Sequence, residues 1–158
     1  MSASGDAKTA EKSKPFGLPH HYAVASAARP EGRVTLASAG LAPLESDSPA
    51  QFGGPGDRWS PETLLVGAAA DCFVLTFRAV ARASSLPWSE LRCEAEGVLD
   101  RVERTTRFTA IRLRAELRIP AGGDEEKALR LLEKAERGCL ISSSLVCPVE
   151  LEPRISVG

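Results

Sequence analysis

The chain has 158 residues, enough for one domain with a tail, and its 43% hydrophobic and 26% charged content is ordinary for a globular protein. Twenty Lys and Arg against 21 Asp and Glu leave a net charge of -1, which argues against nucleic-acid binding through a broad basic surface. No apolar run approaches the roughly 20 residues of a bilayer span and no apolar signal core opens the chain, so a cytoplasmic protein without membrane contact is expected.

Residues 1–15 are small, charged and without periodicity. They cannot bury enough apolar surface to order themselves, so a flexible tail is expected there, with one folded domain over 16–158. HYAVASAA, RPEG and RVTLASA read as two short strands around a Pro-Gly turn. Residues 46–58 hold three Gly and two Pro and read as a loop long enough to cover a site. A helix follows. Ser60 is a good N-cap, Pro61 fits the first turn, and Glu62 suits the positive end of the helix dipole. About 23 residues make it about 35 Å long. Asp71 is its one acidic group between Glu62 and Ser84. A helix apolar on nearly all sides must be surrounded by protein, and a chain of this size can hardly cover it alone, so a homodimer is expected.

Leu91 to Leu99 and Phe108 to Ile119 alternate with period two around RVERTT, which reads as the turn of an antiparallel hairpin. Acidic residues at 124–126 and the stripe Ala128, Leu131, Leu132, Ala135 predict a second helix stopped by Gly138. A last strand runs from about Val146 to Ile155. The order β-β-α-β-β-α-β is an α+β class, with mainly antiparallel strands around a long central apolar helix.

Four cysteines stand at 72, 93, 139 and 147, and the two histidines are the neighbours His20 and His21. No CxxC spacing is present, which argues against a metal site. Cys72 and Cys139 each read either as a small core residue or as a reactive thiol. Cys93 shares a strand face with Leu91, Ala95 and Leu99 and reads as core. Cys147 has no assignable chemistry. In mid-helix Cys72 gains little from the helix dipole and needs a cation from elsewhere to be reactive. Cys139, near a helix C-terminus, is expected to stay a thiol. If the two act together, Cys72 attacks and Cys139 resolves.

SPETLLVGAAADCF, followed 67 residues from its cysteine by the cysteine of ERGCLISSSL, resembles the osmotically inducible protein C / organic hydroperoxide resistance superfamily. The likeness covers about residues 20–156. It implies an intertwined homodimer around paired long helices and thiol peroxidase activity on organic hydroperoxides. It implies Cys72 as the peroxidatic and Cys139 as the resolving cysteine, joined in a disulfide during turnover. It also implies a catalytic arginine, matched by Arg29 with Arg33 as a competitor, and a glutamate, matched by Glu62. A dithiol reductant, of lipoyl type, would reopen the disulfide, with no metal, flavin or haem cofactor. Two residues depart from the family pattern. Asp71 stands beside Cys72 where a small residue is usual, and Leu140 follows Cys139 where many members have proline.

On an unbroken helix Glu62 and Cys72 would lie about 15 Å apart, beyond side-chain reach. The helix is therefore interrupted, or the glutamate serving Cys72 comes from a second subunit; the second is expected. Phe52, Phe73 and Phe77 are candidate walls of a hydroperoxide pocket. Phe73 and Phe77, one turn apart, fit the core equally well. The competing function is a dimer of the same fold that binds a small apolar molecule, or serves in stress, with inert cysteines.

Overall fold

The computed structural model describes residues 17–158, so the expected tail over 1–15 lies outside the described residues. The chain divides into two compact units at Glu45/Ser46.

In the first unit, β1 (Ala25–Ala27) pairs antiparallel with β2 (Val34–Ala37), with Ala25 opposite Ala37. Gly32, at φ 93°, takes the left-handed backbone between them, which glycine adopts without steric cost. A further strand, β3 (Leu44–Ser46), lies beside β2, in a stretch left unassigned from sequence up to the loop expected from residue 46. Its three residues are too few to show a period. None of residues 17–45 is buried.

The second unit is built on α1 (Pro61–Ala83). Ser60 starts it: its hydroxyl accepts from the Thr63 amide at 3.2 Å, while the Thr63 hydroxyl accepts from the Ser60 amide at 2.8 Å. Ala69, Phe73, Phe77 and Ala81 recur every four residues, and all four are fully buried. The Phe77 ring meets Trp88 edge-on at 5.4 Å. Phe73 and Phe77 therefore belong to the core, where each contributes roughly 1.5–3 kcal/mol of burial.

A hairpin follows: β4 (Glu90–Val102) and β5 (Thr105–Ile119), antiparallel, with Leu91 opposite Leu117. Its connection is two residues, not the six of RVERTT. Glu103 and Arg104 both take positive φ, 48° and 72°. That geometry matches the twist of the flanking strands, and pairing along the hairpin repays the local cost in two non-glycine residues. Ile111, Leu113, Ala115, Leu117 and Ile119 turn inward. The outward positions carry charge: Arg114 reaches Glu96 at 3.1 Å and Glu152 at 3.3 Å.

α2 (Glu125–Arg137) starts at Asp124, whose carboxylate accepts from the Lys127 amide at 2.8 Å. It buries Ala128, Leu131, Leu132 and Ala135, the stripe expected. Lys127 then ties the helices, donating from Nζ to the Ser84 carbonyl at the end of α1 at 2.7 Å. A one-turn helix, α3 (Leu140–Ser143), precedes β6 (Val149–Val157). β6 pairs parallel with β5, beside the antiparallel β1–β2 and β4–β5 pairs. The chain leaves β5 and returns in the same direction through α2 and α3, the crossover that a parallel pair requires.

α1 also corrects the statement about apolar runs. Its 23 residues have a mean hydropathy of 1.8 over the best window, long and apolar enough to cross a membrane by those measures alone. Only 22% of that window is buried by the chain's own packing.

Candidate active site

Cys72 lies on α1, half-buried, five residues upstream of Phe77 in the core stripe. α1 packs against both α2 and α3. Gly138 ends α2 with a right-handed backbone, and Cys139 follows as the residue capping α3. Cys139 is fully buried. The two thiols lie close enough to act on each other's ionisation: Cys139 lowers Cys72 and is itself raised by it. Residues 67 apart in sequence thus meet because α2 folds back on α1. Both cysteines are free thiols.

Their environments differ. Burial raises the Cys72 thiol. The amides of Ile141 and Leu140, the Cys139 thiol and the Thr76 hydroxyl outweigh that and leave it lowered. Burial likewise raises Cys139, its contacts with Ser142 offset this in part, and the bond to Cys72 adds to the rise. The pair is therefore asymmetric: one sulfur inclined to ionise and one inclined to keep its proton. Among the described residues no cation is among the groups that act on Cys72. Within the chain the partial positive charge of the backbone amides lowers it. Asp71 is exposed and is not among the groups that shift Cys72. Cys93 is pushed up to about 11 by burial and by Glu94, which marks an inert thiol.

Glu62 is not brought to Cys72 within the chain. α1 is unbroken from Pro61 to Ala83, so interruption of the helix is eliminated. The ten residues separate the two by about 15 Å. Glu62 instead lines a cavity of about 820 Å³ between the upstream half of α1 and the β4–β5 hairpin. Phe52, Trp59, Val66 and Phe108 supply its apolar walls. One carboxylate oxygen of Glu62, Oε2, is buried with no hydrogen-bond partner. Of the three phenylalanines named as pocket walls, Phe52 lines this cavity, whereas Phe73 and Phe77 sit in the core.

Arg29 and Arg33 belong to the first unit, both exposed in the connection from β1 to β2. Arg33 is held by Glu45 at 2.8 Å. Arg29 has no ion-pair partner among the described residues. Among those residues, no group of His, Cys, Asp and Glu is placed to hold a metal ion.

Sequence reasoning missed Thr76 and the amides of Leu140 and Ile141. A threonine four residues after a helical cysteine is a readable signal, since i and i+4 share a face. The amides were not readable, because α3 is a single turn hidden in a stretch that looks like loop.

Residues 54–154 match the OsmC-like protein family. The chain is 33% identical over 112 residues to the uncharacterized protein YmaD of Bacillus subtilis (strain 168), covering 69% of this chain and 75% of that one. Its fold is similar to an OsmC-like protein of unknown function from Vibrio cholerae (TM-score 0.80, 15% identity, 86% of this chain and 100% of the other). It is similar also to an organic hydroperoxide resistance protein OsmC from Legionella pneumophila (TM-score 0.70, 23% identity, 89% and 100%).

Proposed function

Because this chain belongs to the OsmC-like protein family, we propose that it is a cytoplasmic thiol-dependent peroxidase that reduces organic hydroperoxides as a homodimer. The observation that carries this reading is the asymmetric contact of Cys72 with Cys139. A peroxidatic cycle needs a thiolate beside a thiol, and inert core cysteines have no need of either state.

The steps follow from the two sulfurs. The Cys72 thiolate attacks the terminal peroxide oxygen, the O–O bond breaks, and the departing alkoxide takes a proton and leaves as an alcohol. Cys72 is then a sulfenic acid. Cys139 attacks that sulfur, an S–S bond forms and water leaves. A dithiol, of lipoyl type, exchanges with the disulfide, returns both thiols and departs as its own disulfide. No metal, flavin or haem takes part.

Two further features support the dimer. Only 22% of the apolar window of α1 is fully buried among the described residues, and most of its other positions are half-exposed or exposed. Glu62 carries a buried carboxylate oxygen without a donor, a state that costs stability until a donor from outside fills it. In this proposal the Glu62 that serves each Cys72 belongs to the other copy. Arg29 supplies the guanidinium that binds the departing oxygen, and Glu62 holds its planar fork by a bidentate pair.

The test is a count of reactive thiols before and after a stoichiometric dose of cumene hydroperoxide. Loss of two thiols per chain, blocked by Cys72→Ser, is expected. No loss would leave a small-molecule-binding dimer of the same fold with quiet thiols.

A further inference from the structure

The hydroxyl of Thr76 lies 4.0 Å from the Cys72 sulfur, one helical turn downstream. That contact is the hydrogen bond the structure gives this hydroxyl. A β-branched side chain on a helix has few χ1 choices, and a threonine commonly spends its hydroxyl on the carbonyl four residues back. Here the other branch has a defined place. The Thr76 methyl faces Gly138, the residue before Cys139, where a side chain would meet it at 3.6 Å. With its methyl against Gly138, the side chain turns its hydroxyl to Cys72. One residue thus lies beside both cysteine-bearing segments, the sulfur on α1 and the end of α2 that delivers Cys139.

We propose that Thr76 is a positioning residue for the peroxidatic thiolate: its hydroxyl donates to Cys72, and its methyl, turned to the space that the missing side chain of Gly138 leaves, keeps that donor aimed. The inference deepens the peroxidase reading and rests on it for its purpose. Its physical content, a donor to one sulfur, stands apart from any turnover. The other groups that lower Cys72 are the Ile141 and Leu140 amides and the Cys139 thiol, after burial, which opposes them. Cys139 is the titratable member of that set, and no charged side chain of α1, α2 or α3 is among them. Thr76 is thus the one non-titrating side-chain donor in the cradle, and mutation can remove it without touching the backbone.

The experiment measures the pH dependence of Cys72 alkylation by iodoacetamide in the reduced full chain. The modified peptide is quantified by mass spectrometry, so that no peroxide and no reductant cycle enters. Thr76→Val, nearly equal in shape, is expected to raise the Cys72 midpoint by about 0.5–1 pH unit, slowing alkylation well below the midpoint about three- to tenfold. Thr76→Ser keeps the donor and is expected to hold the wild-type midpoint more closely than Val does. A midpoint unmoved by valine would overturn the proposal. So would equal shifts in both variants, since packing alone would then explain them. Thermal melting of each variant checks that the fold is kept, and if valine melts early the serine and alanine variants make the same comparison. Should the wild type show no peroxide-driven thiol loss yet the valine shift appear, the peroxidase reading falls and the Thr76 donor stands. Turnover without the shift is the reverse case.

Discussion

The two halves of α1 contrast. Downstream, Cys72 is surrounded by groups of its own chain: Thr76 on the same helix, Cys139 and the α3 amides folded against it. Upstream, Glu62 faces a wide cavity with a buried oxygen that nothing among the described residues satisfies. The same helix therefore carries one finished polar site and one unfinished one. A helix end can stay unfinished when the partner that completes it is a second molecule, because the cost of an unpaired buried acceptor is then removed by association.

The sharpest way to break this contrast is to remove the finished site's sulfur. Cys72→Ser is expected to abolish turnover of cumene hydroperoxide, by about a thousandfold or more, since a hydroxyl at this pKa is no substitute for a thiolate. Steady-state kinetics with a lipoyl dithiol read this directly. Residual activity within tenfold of the wild type would move the chemistry to another cysteine.

At the unfinished end, Glu62→Gln keeps the shape and removes the charge. Turnover should fall about a hundredfold through loss of positioning. Turnover within about threefold of the wild type would mean that Glu62 does not serve the thiol.

Gly97 tests what holds the cavity's two walls together. A methyl there would lie 2.5 Å from a Val66 methyl on α1 and 2.7 Å from the Phe108 ring. Gly97→Ala is expected to lower stability by about 1–3 kcal/mol, seen as a lower Tm, because a stiff valine and a ring must both shift. An unchanged Tm would show that α1 and β4 separate easily at this point.

The smallest effect is an order of titration. Cys72 is lowered, Cys139 raised, and Cys93 raised to about 11, so alkylation on raising the pH should take Cys72 first and Cys93 late. A thiol whose folded pKa lies above its unfolded value favours folding below the unfolded value and loses that contribution as pH rises through the folded one. Cys93 therefore predicts stability falling from about pH 8.5 toward 11, a slope that Cys93→Ala should reduce. Denaturant melts across that range measure it.

Much of this was legible in one dimension. Ser60, Pro61 and the apolar spacing announced α1, and the stripe 128–135 announced α2, because capping and periodicity are local. The Cys72 and Cys139 segments could be singled out for the same reason: each stands at a readable place on a helix or at its end. The hairpin strands were readable, but not their two-residue turn, since Glu103 and Arg104 carry no glycine signal for the left-handed backbone they adopt. The direction of β6 was hidden too, because period-two alternation does not tell a parallel neighbour from an antiparallel one.

What the amino-acid order settled by itself was therefore which segments are helices, which residues face inward, and which two sulfurs merit attention. Tertiary structure alone decided that those sulfurs come within each other's influence, that the α3 amides and the Thr76 hydroxyl act on the first, and that Phe73 and Phe77 serve the core and not the cavity. The physical reason is range. Helix caps and hydrophobic spacing act over a few residues, whereas a thiol's environment is made by chain brought back from 67 positions away, after burial has chosen which faces meet.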